Sequence, residues 1–224
     1  MKHFLLFLSA AFALTLFSAP IRDDMAGRQT SDTSDRPNAA FVEYLESTGT
    51  QWIDTGITAS TAVRPMRVAF AAIQNKTYGD SSYIFGGGDS ASSGYGFRLR
   101  ENKGSSISVG YGWSNVFTLW NRPHVEPYDV VQQDWYFTLN GYGWNTLSFS
   151  GTYSVTYALF GRNVGGVVSP CPIRIYYAQI GELDLLPVRI GNEGFMLDTV
   201  SGELFANQGT GSFILGPDVA PFYQ

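Results

Sequence analysis

The heptapeptide GELDLLP, residues 181–187, carries two carboxylates separated by one apolar residue. Alternate side chains of an extended strand lie on the same face, so Glu182 and Asp184 could face one substrate together. Two carboxyl groups that flank a glycosidic bond can hydrolyse it, one as nucleophile and the other as general acid and base. The stretch is therefore either half of an active site or a polar turn between two strands.

Other catalytic and metal-binding arrangements lack the residues they need. Beyond the N-terminal segment His124 is the only histidine, and it lies between two prolines in NRPHVEP. This setting favours a surface residue at a strand edge over a catalytic base. Cys171 is the only cysteine, which excludes an intrachain disulfide and is more typical of a small buried residue than of a zinc ligand.

A glycine-rich stretch and two nearby aspartates remain to be interpreted. FGGGDS, residues 85–90, is followed by neither a helical pattern nor the Lys-Ser/Thr pair of a phosphate-binding loop, so we interpret it as a flexible turn. Calcium takes oxygen ligands from loops, and Asp80 and Asp89, which flank SSYIFGGG, are its candidates. We expect no other cofactor and no other metal.

The composition limits the class of partner. Charged residues make up 15% of the chain, against about 25% in an average soluble domain, while aromatic residues also reach 15%. The net charge is −5 and the isoelectric point about 4.9. Binding to nucleic acid or to an anionic membrane needs clustered Lys and Arg, and no such cluster occurs. A surface poor in charge and rich in Tyr, Trp, Ser and Asn is typical of extracellular β-rich modules.

The N-terminus predicts export. MKH followed by the apolar run Phe4–Phe17 has the form of a secretory signal peptide over residues 1–20, and the run is too short to span a bilayer. Residues 21–40 lack periodicity and predict a disordered polar linker. We expect one domain over residues 41–217, a short tail over 218–224 and no membrane span after cleavage. Export without disulfides fits a bacterial protein that is secreted or held at the cell surface.

From residue 41 onward, short runs of alternating apolar and polar residues recur between Gly, Ser, Asn and Asp, which predicts an all-β sandwich or barrel. DWYFTLN and WNTLSFS, residues 134–140 and 144–150, predict a hairpin joined by the three residues Gly-Tyr-Gly. The register we expect pairs Asn140 with Trp144. It places Tyr136, Asn140 and Trp144 on one polar face, with Tyr142 at the tip of the loop.

Two stretches resemble a known family. FVEYLESTGTQWIDTGI (41–57) and RIYYAQIGELDLLPVRIGNEGFMLDTVSGELFANQGTGSF (174–213) are similar to the opening and closing segments of concanavalin A-like, laminin G-like domains of bacterial secreted and phage-type proteins. The closing hairpin motif consists of Gly194, Phe195, Asp198, Ser201, Gly202 and Asn207. The resemblance implies a jelly-roll β-sandwich of two antiparallel sheets, a fold that hosts lectins, adhesion modules, structural domains and hydrolases.

Hydrolases with this fold, those of glycoside hydrolase family 16, carry a third acid two or three residues after the second one. Leu186 and Pro187 occupy both places here, so no local group can protonate the leaving oxygen. The resemblance also puts Glu182–Asp184 in a turn. We therefore interpret GELDLLP as a turn and expect no catalytic activity, with a glycoside hydrolase that lacks its third carboxylate as the remote alternative.

The function expected from sequence is a secreted, non-catalytic binding module. Sugars stack their C–H faces on flat aromatic rings, and amide and carboxylate groups bind their hydroxyls. Trp144, Tyr136, Asn140 and Tyr142 are the candidate ligand-binding residues, and a glycan or surface polysaccharide is the expected partner. A structural jelly-roll domain that contacts other proteins through its sheet edges or loops is the alternative.

Overall fold

The structure is a computed structural model that describes residues 39–60, 65–73, 82–90, 93–100, 106–111, 114–120, 128–133, 136–140, 142–145 and 151–220. Within these ranges every regular element is a β-strand. None of the described ranges holds a helix long and apolar enough to cross a membrane. The all-β class expected from the alternating sequence is confirmed.

The strands are numbered in chain order. They are β1 (Ala39–Phe41), β2 (Leu45–Glu46), β3 (Ile53–Ser60), β4 (Met66–Ala72), β5 (Tyr83–Ser90), β6 (Ser93–Arg100), β7 (Ser106–Tyr111), β8 (Ser114–Trp120), β9 (Tyr128–Gln133), β10 (Tyr136–Leu139), β11 (Tyr142–Asn145), β12 (Thr152–Leu159), β13 (Gly161–Val164), β14 (Val167–Pro170), β15 (Ile173–Ile180), β16 (Leu183–Ile190), β17 (Glu193–Asp198), β18 (Leu204–Ala206) and β19 (Ile214–Leu215).

Two sheets make up the sandwich. The first has eleven described strands in the order β11-β10-β9-β4-β15-β16-β17-β18, with β1 added to β16 and β2 lying between β15 and β19. The second has eight, in the order β14-β13-β5-β6-β7-β8, with β12 pairing with both β3 and β5. The described pairs are antiparallel except for β13 and β5, which run parallel.

The core lies between the sheets, and in β4 it follows the two-residue alternation of the strand. In β4, Met66, Val68 and Phe70 are fully buried in it, and Ile84 and Phe85 of β5 enter it from the other sheet. Burying a large apolar side chain stabilises the fold by about 1.5–3 kcal/mol. Successive side chains of a strand point to opposite faces. The residues of β4 between Met66, Val68 and Phe70 therefore lie on the outer face of the eleven-stranded sheet, which is the face directed away from the core.

The glycine-rich stretch FGGGDS is not a turn, contrary to the expectation from sequence. It lies within β5, and its three glycines are buried between neighbouring strands. A Cβ atom added at Gly87 would come within 2.7 Å of the Ala59 Cβ and 3.0 Å of the Thr156 carbonyl oxygen. Glycine is required at this position because the Ala59 side chain of β3 and the Thr156 backbone of β12 approach β5 closely.

The opening and closing stretches of the domain are joined by a polar clasp. Thr210 N–H donates to Thr50 O at 3.1 Å, and the Gln51 side-chain amide donates to Thr210 O at 3.0 Å. Asn207 Oδ1 accepts from Trp52 N–H at 3.2 Å. The described fold begins at Ala39, and Val219 N–H donates to Phe41 O at 2.9 Å, so the two ends of the fold lie side by side.

Candidate functional site

The hairpin predicted to carry the ligand-binding residues has a different register. β10 and β11 pair Phe137 with Trp144 and Leu139 with Tyr142, so the connection is the dipeptide Asn140-Gly141 instead of three residues. Asn140 has a backbone φ of 49°, in the left-handed region. Asn-Gly is the preferred sequence for a two-residue hairpin turn, because both central residues need positive φ, and this signal outweighed the Gly-Tyr-Gly alternative.

The observed register separates the predicted platform. Paired positions share a face of a sheet, so position 144 is in phase with position 137 and out of phase with position 136. Asn140 has a structural role, because its N–H donates to Asp129 O at 2.9 Å and its Oδ1 accepts from Asp129 N–H at 2.8 Å. A ligand-binding role for Trp144, Tyr136, Asn140 and Tyr142 stays a prediction.

The other predicted sites divide between described and undescribed residues. Asp80 and His124 lie outside the described residues. One carboxylate oxygen of Asp89 accepts from both the N–H and the hydroxyl of Ser154, each at 2.7 Å. The part of the chain that the structure describes contains no group of three His, Cys, Asp or Glu able to hold a metal ion. Cys171 is buried as expected, and burial raises the pKa of its thiol to about 12, which makes it unreactive.

GELDLLP is a turn over its first two residues only. Gly181 and exposed Glu182 form the turn, whereas Asp184 lies within β16, paired with Gln179 of β15. The expectation that Asp184 belongs to the turn is therefore wrong, because the hairpin closes tightly with Ile180 paired to Leu183.

The Asp184 carboxylate is held in a buried tyrosine–aspartate cluster, which consists of Tyr177, Asp184 and Thr199. Its two oxygens accept from the Tyr177 hydroxyl at 2.5 Å and from the Thr199 hydroxyl at 2.9 Å. Tyr177 is only 1% exposed and Asp184 only 7%. Both carboxylate oxygens thus serve hydrogen bonds that tie β15, β16 and the turn after β17 together.

A β-bulge in β15 creates a second polar cluster that was not predicted from the sequence. The pairing of β15 with β4 shifts by one residue between Ile175 and Tyr177, leaving Tyr176 as the extra residue. Because of this insertion two consecutive tyrosines leave the core: Tyr177 contacts Arg67, and Tyr176 contacts Tyr44. Bulges commonly redirect side chains next to functional sites.

On the same outer face, paired residues of the four neighbouring strands β4, β15, β2 and β19 form one row across the sheet. Arg174 of β15 is paired with Ala71 of β4 on one side and with Glu46 of β2 on the other, and Glu46 is paired with Ile214 of β19. Arg174 Nε donates to Glu46 Oε2 at 2.5 Å. The Arg174 side chain is 37% exposed and the Glu46 side chain only 10%, while Ile214 is 47% exposed.

Two half-buried tyrosines complete this tyrosine–arginine patch, which we define as Tyr44, Glu46, Arg174, Tyr176 and Ile214. The Arg174 guanidinium lies over the Tyr44 ring, 4.5 Å from its centroid. The Tyr44 and Tyr176 rings meet edge to face, with centroids 5.5 Å apart and planes inclined by 68°. The result is a surface of aromatic edges and faces around one guanidinium and one carboxylate.

Glycine at position 216 positions the first of these rings. Gly216 N–H donates to Tyr44 O at 2.9 Å, and a Cβ atom at this position would come within 3.0 Å of the Tyr44 ring. Only glycine lets the ring lie against the backbone beside β19 without a shift.

The charges of the patch are set by its own contacts. Burial raises the pKa of Tyr176, and the hydrogen bond and charge of Arg174 offset this only in part, so the phenol stays neutral. Burial lowers the pKa of Arg174, but the hydrogen bond and charge of Glu46 raise it more, and the net pKa is above its ordinary value. The patch therefore presents neutral phenols beside a permanent cation that is already paired with a carboxylate.

One signal in the sequence could have revealed the bulge. In IRIYYAQI, residues 173–180, the apolar positions Ile173 and Ile175 are followed by Ala178 and Ile180, so the alternation slips by one residue at the two tyrosines. Such a slip inside an otherwise regular strand indicates an inserted residue. The position of Tyr44 beside it has no comparable local signal.

Comparison with known proteins adds no assignment. No protein-family model matches the chain, and no curated protein is significantly similar to it. Function therefore has to follow from the residues of the patch and their chemistry.

Proposed function

We propose that this protein is a secreted, non-catalytic carbohydrate-binding module of the concanavalin A-like jelly-roll class, and that its tyrosine–arginine patch holds the glycan. The N-terminal segment supports export, and the joined opening and closing stretches fit the family resemblance. The observation that carries the proposal is the pair of half-buried tyrosine rings beside a partly exposed guanidinium and its carboxylate.

The chemistry of these groups suits a sugar. The Tyr176 ring provides an apolar surface for the C–H face of a pyranose, and its hydroxyl can donate to or accept from a sugar hydroxyl. Arg174 offers several N–H donors in a fixed plane, which match a pair of neighbouring hydroxyls. Tyr44 and Glu46 hold that plane still, so less rotational freedom is lost on binding.

The scaffold also suits a binding site. Arg174, Tyr176 and Glu46 lie on paired strands in the middle of the eleven-stranded sheet, and residues on sheets are positioned more accurately than residues on loops. An open row of this kind fits one stretch of an extended polysaccharide.

A glycan array with the purified full chain, run with and without calcium, tests the proposal. Tyr176→Ala should abolish specific binding, whereas Tyr176→Phe, which keeps the ring, should retain most of it. Trp144→Ala is the matched aromatic variant on the predicted hairpin and should leave binding unchanged. Loss of binding in Trp144→Ala alone would support a carbohydrate-binding function but would place the site on the hairpin instead of the patch. A blank array with a folded protein would contradict a carbohydrate-binding function.

A protein-interaction module is the second candidate function, and one observation favours it. Ile214 is exposed and pairs with Glu46 of the patch, and an aliphatic side chain contributes more to a protein interface than to binding of a polar sugar. Tyr and Arg are also enriched at the energetic centres of protein interfaces. If the array is blank, cross-linking on the producing cells tests this candidate. Capture of one protein through the patch by the wild type, but not by Tyr176→Ala, would favour it.

A further inference from the structure

The ionic groups of the patch already neutralise each other. The patch contains one cation, Arg174, and one carboxylate, Glu46, and the two are bonded to each other. The Arg174 charge is directed at Glu46, its hydrogen-bond partner, and the Tyr44 ring covers the guanidinium. The chain as a whole carries a net charge of −5. The field at the patch is therefore not that of an anion-binding surface.

We infer that the patch takes neutral polysaccharides and discriminates against those that carry uronate or sulfate groups. The inference rests on the proposed function and names the class of glycan that this function serves.

The reason is the cost of separating Arg174 from Glu46. An anionic sugar would gain most from Arg174 by replacing Glu46 as its partner. The Glu46 side chain is only 10% exposed, so the displaced carboxylate would remain largely buried without its cation. Leaving a largely buried carboxylate without its cation is strongly unfavourable. An anionic sugar that left the pair intact would instead meet a guanidinium whose charge Glu46 already offsets, and would gain little in return for losing its own hydration.

A neutral sugar meets neither obstacle. Its hydroxyls can accept from N–H groups of Arg174 other than Nε and exchange hydrogen bonds with the Tyr176 hydroxyl, while the Arg174–Glu46 bond stays in place. Stacking on the ring of Tyr176 requires no charge on the sugar. Binding of this kind should depend little on salt, because no ions need to be displaced.

Calorimetric titration with two oligosaccharides of equal length and linkage tests the inference, one built from a neutral hexose and the other from the matching uronic acid. The neutral sugar should bind at least about tenfold more tightly. Its affinity should change less than about twofold between roughly 20 mM and 500 mM NaCl. Equal or tighter binding of the uronate, weakened by salt, would overturn the inference and leave the proposed function intact. If neither sugar binds and the array is also blank, both fail.

Glu46→Gln sharpens the test because it keeps the shape of the side chain and removes its charge. It should improve binding of the uronate by about fivefold or more, since Arg174 loses its competing carboxylate, and change neutral binding little. Asp54→Asn is the matched control: it removes one negative charge from the other sheet and should leave both affinities unchanged. An equal gain in affinity for the uronate in both variants would show that net charge alone is responsible and would contradict the inference.

Discussion

Two neighbouring regions of the outer face each combine a tyrosine with an acidic side chain, but they differ in how far these side chains are buried. The buried cluster combines Tyr177 with Asp184, and the exposed patch combines Tyr176 with Glu46 and Arg174. The two tyrosines are consecutive in the chain and lie on the same strand. Yet Tyr177 is 1% exposed, whereas Tyr176 is half-buried.

Burial determines what each region can do. In the cluster the acid oxygens are bonded to protein hydroxyls and no surface remains for a ligand, so the hydrogen bonds stabilise the junction of β15, β16 and the turn after β17. In the patch the rings are only half-buried, and the ionic bond fixes Arg174 without enclosing it. A tyrosine beside an acid is thus a structural element in one case and a proposed binding element in the other.

Replacing each tyrosine by alanine should separate the two roles most clearly. Tyr177→Ala removes a fully buried ring and leaves Asp184 without one donor, so we expect the free energy of unfolding to fall by about 3–5 kcal/mol. Tyr176→Ala should cost about 1 kcal/mol or less and abolish glycan binding instead. Urea denaturation followed by tryptophan fluorescence measures the stabilities. Similar losses of stability in both variants would remove the distinction.

Neutralising each carboxylate should give a smaller contrast in the same direction. Asp184→Asn turns one of the two acceptors into a donor facing a buried hydroxyl, which should lower the free energy of unfolding by about 1–3 kcal/mol. Glu46→Gln affects a pair whose arginine is partly in water, so the loss should be about 0–1 kcal/mol. Thermal unfolding of the two variants side by side provides the comparison. A larger loss for Glu46→Gln would contradict the assignment of the buried cluster as the structural one.

Acid should weaken the buried region by a modest amount. Burial raises the pKa of Asp198, but hydrogen bonds from Ser201, Asp184 and Val200 outweigh this, and the net pKa lies below its ordinary value. A carboxyl whose pKa is lower in the folded state stabilises the fold above its unfolded pKa, and that stabilisation is lost as the pH falls below about 4.

The wild-type melting temperature should therefore decrease more steeply between about pH 5 and pH 3 than that of Asp198→Asn, which has no proton to take up at this position. Scanning calorimetry at intervals across this range measures both slopes. Parallel slopes would show that Asp198 does not contribute to the acid sensitivity.

Much of the architecture could be predicted because its signal is local. The alternation in β4 and β15 predicts strands with one apolar face, and the polar residues between such runs predict turns. The opening and closing stretches stood out in the sequence as a pair, and the structure joins them through Thr50, Gln51 and Thr210. The turn at Gly181 was expected at the right place, although Asp184 belongs to the strand that follows it.

Other features depend on which strands become neighbours. FGGGDS has the composition of a turn, but it lies in β5, which pairs with β6, β12 and β13, and at Gly87 the approach of β3 and β12 leaves no room for a side chain. The register of the hairpin around Asn140 was decided by turn geometry. It differs from the predicted register by an odd number of residues, and such a difference moves every side chain of one strand to the opposite face relative to its partner strand.

The sequence by itself determined the class of fold, since period-two patterns are carried by neighbouring residues. Only the tertiary structure decided where the candidate site lies. Tyr44 and Arg174 are far apart in the chain and meet because β2 inserts beside β15, and the bulge then adds Tyr176 to the same face. Which strands pair is settled by packing of the whole core, and no single stretch of sequence encodes it.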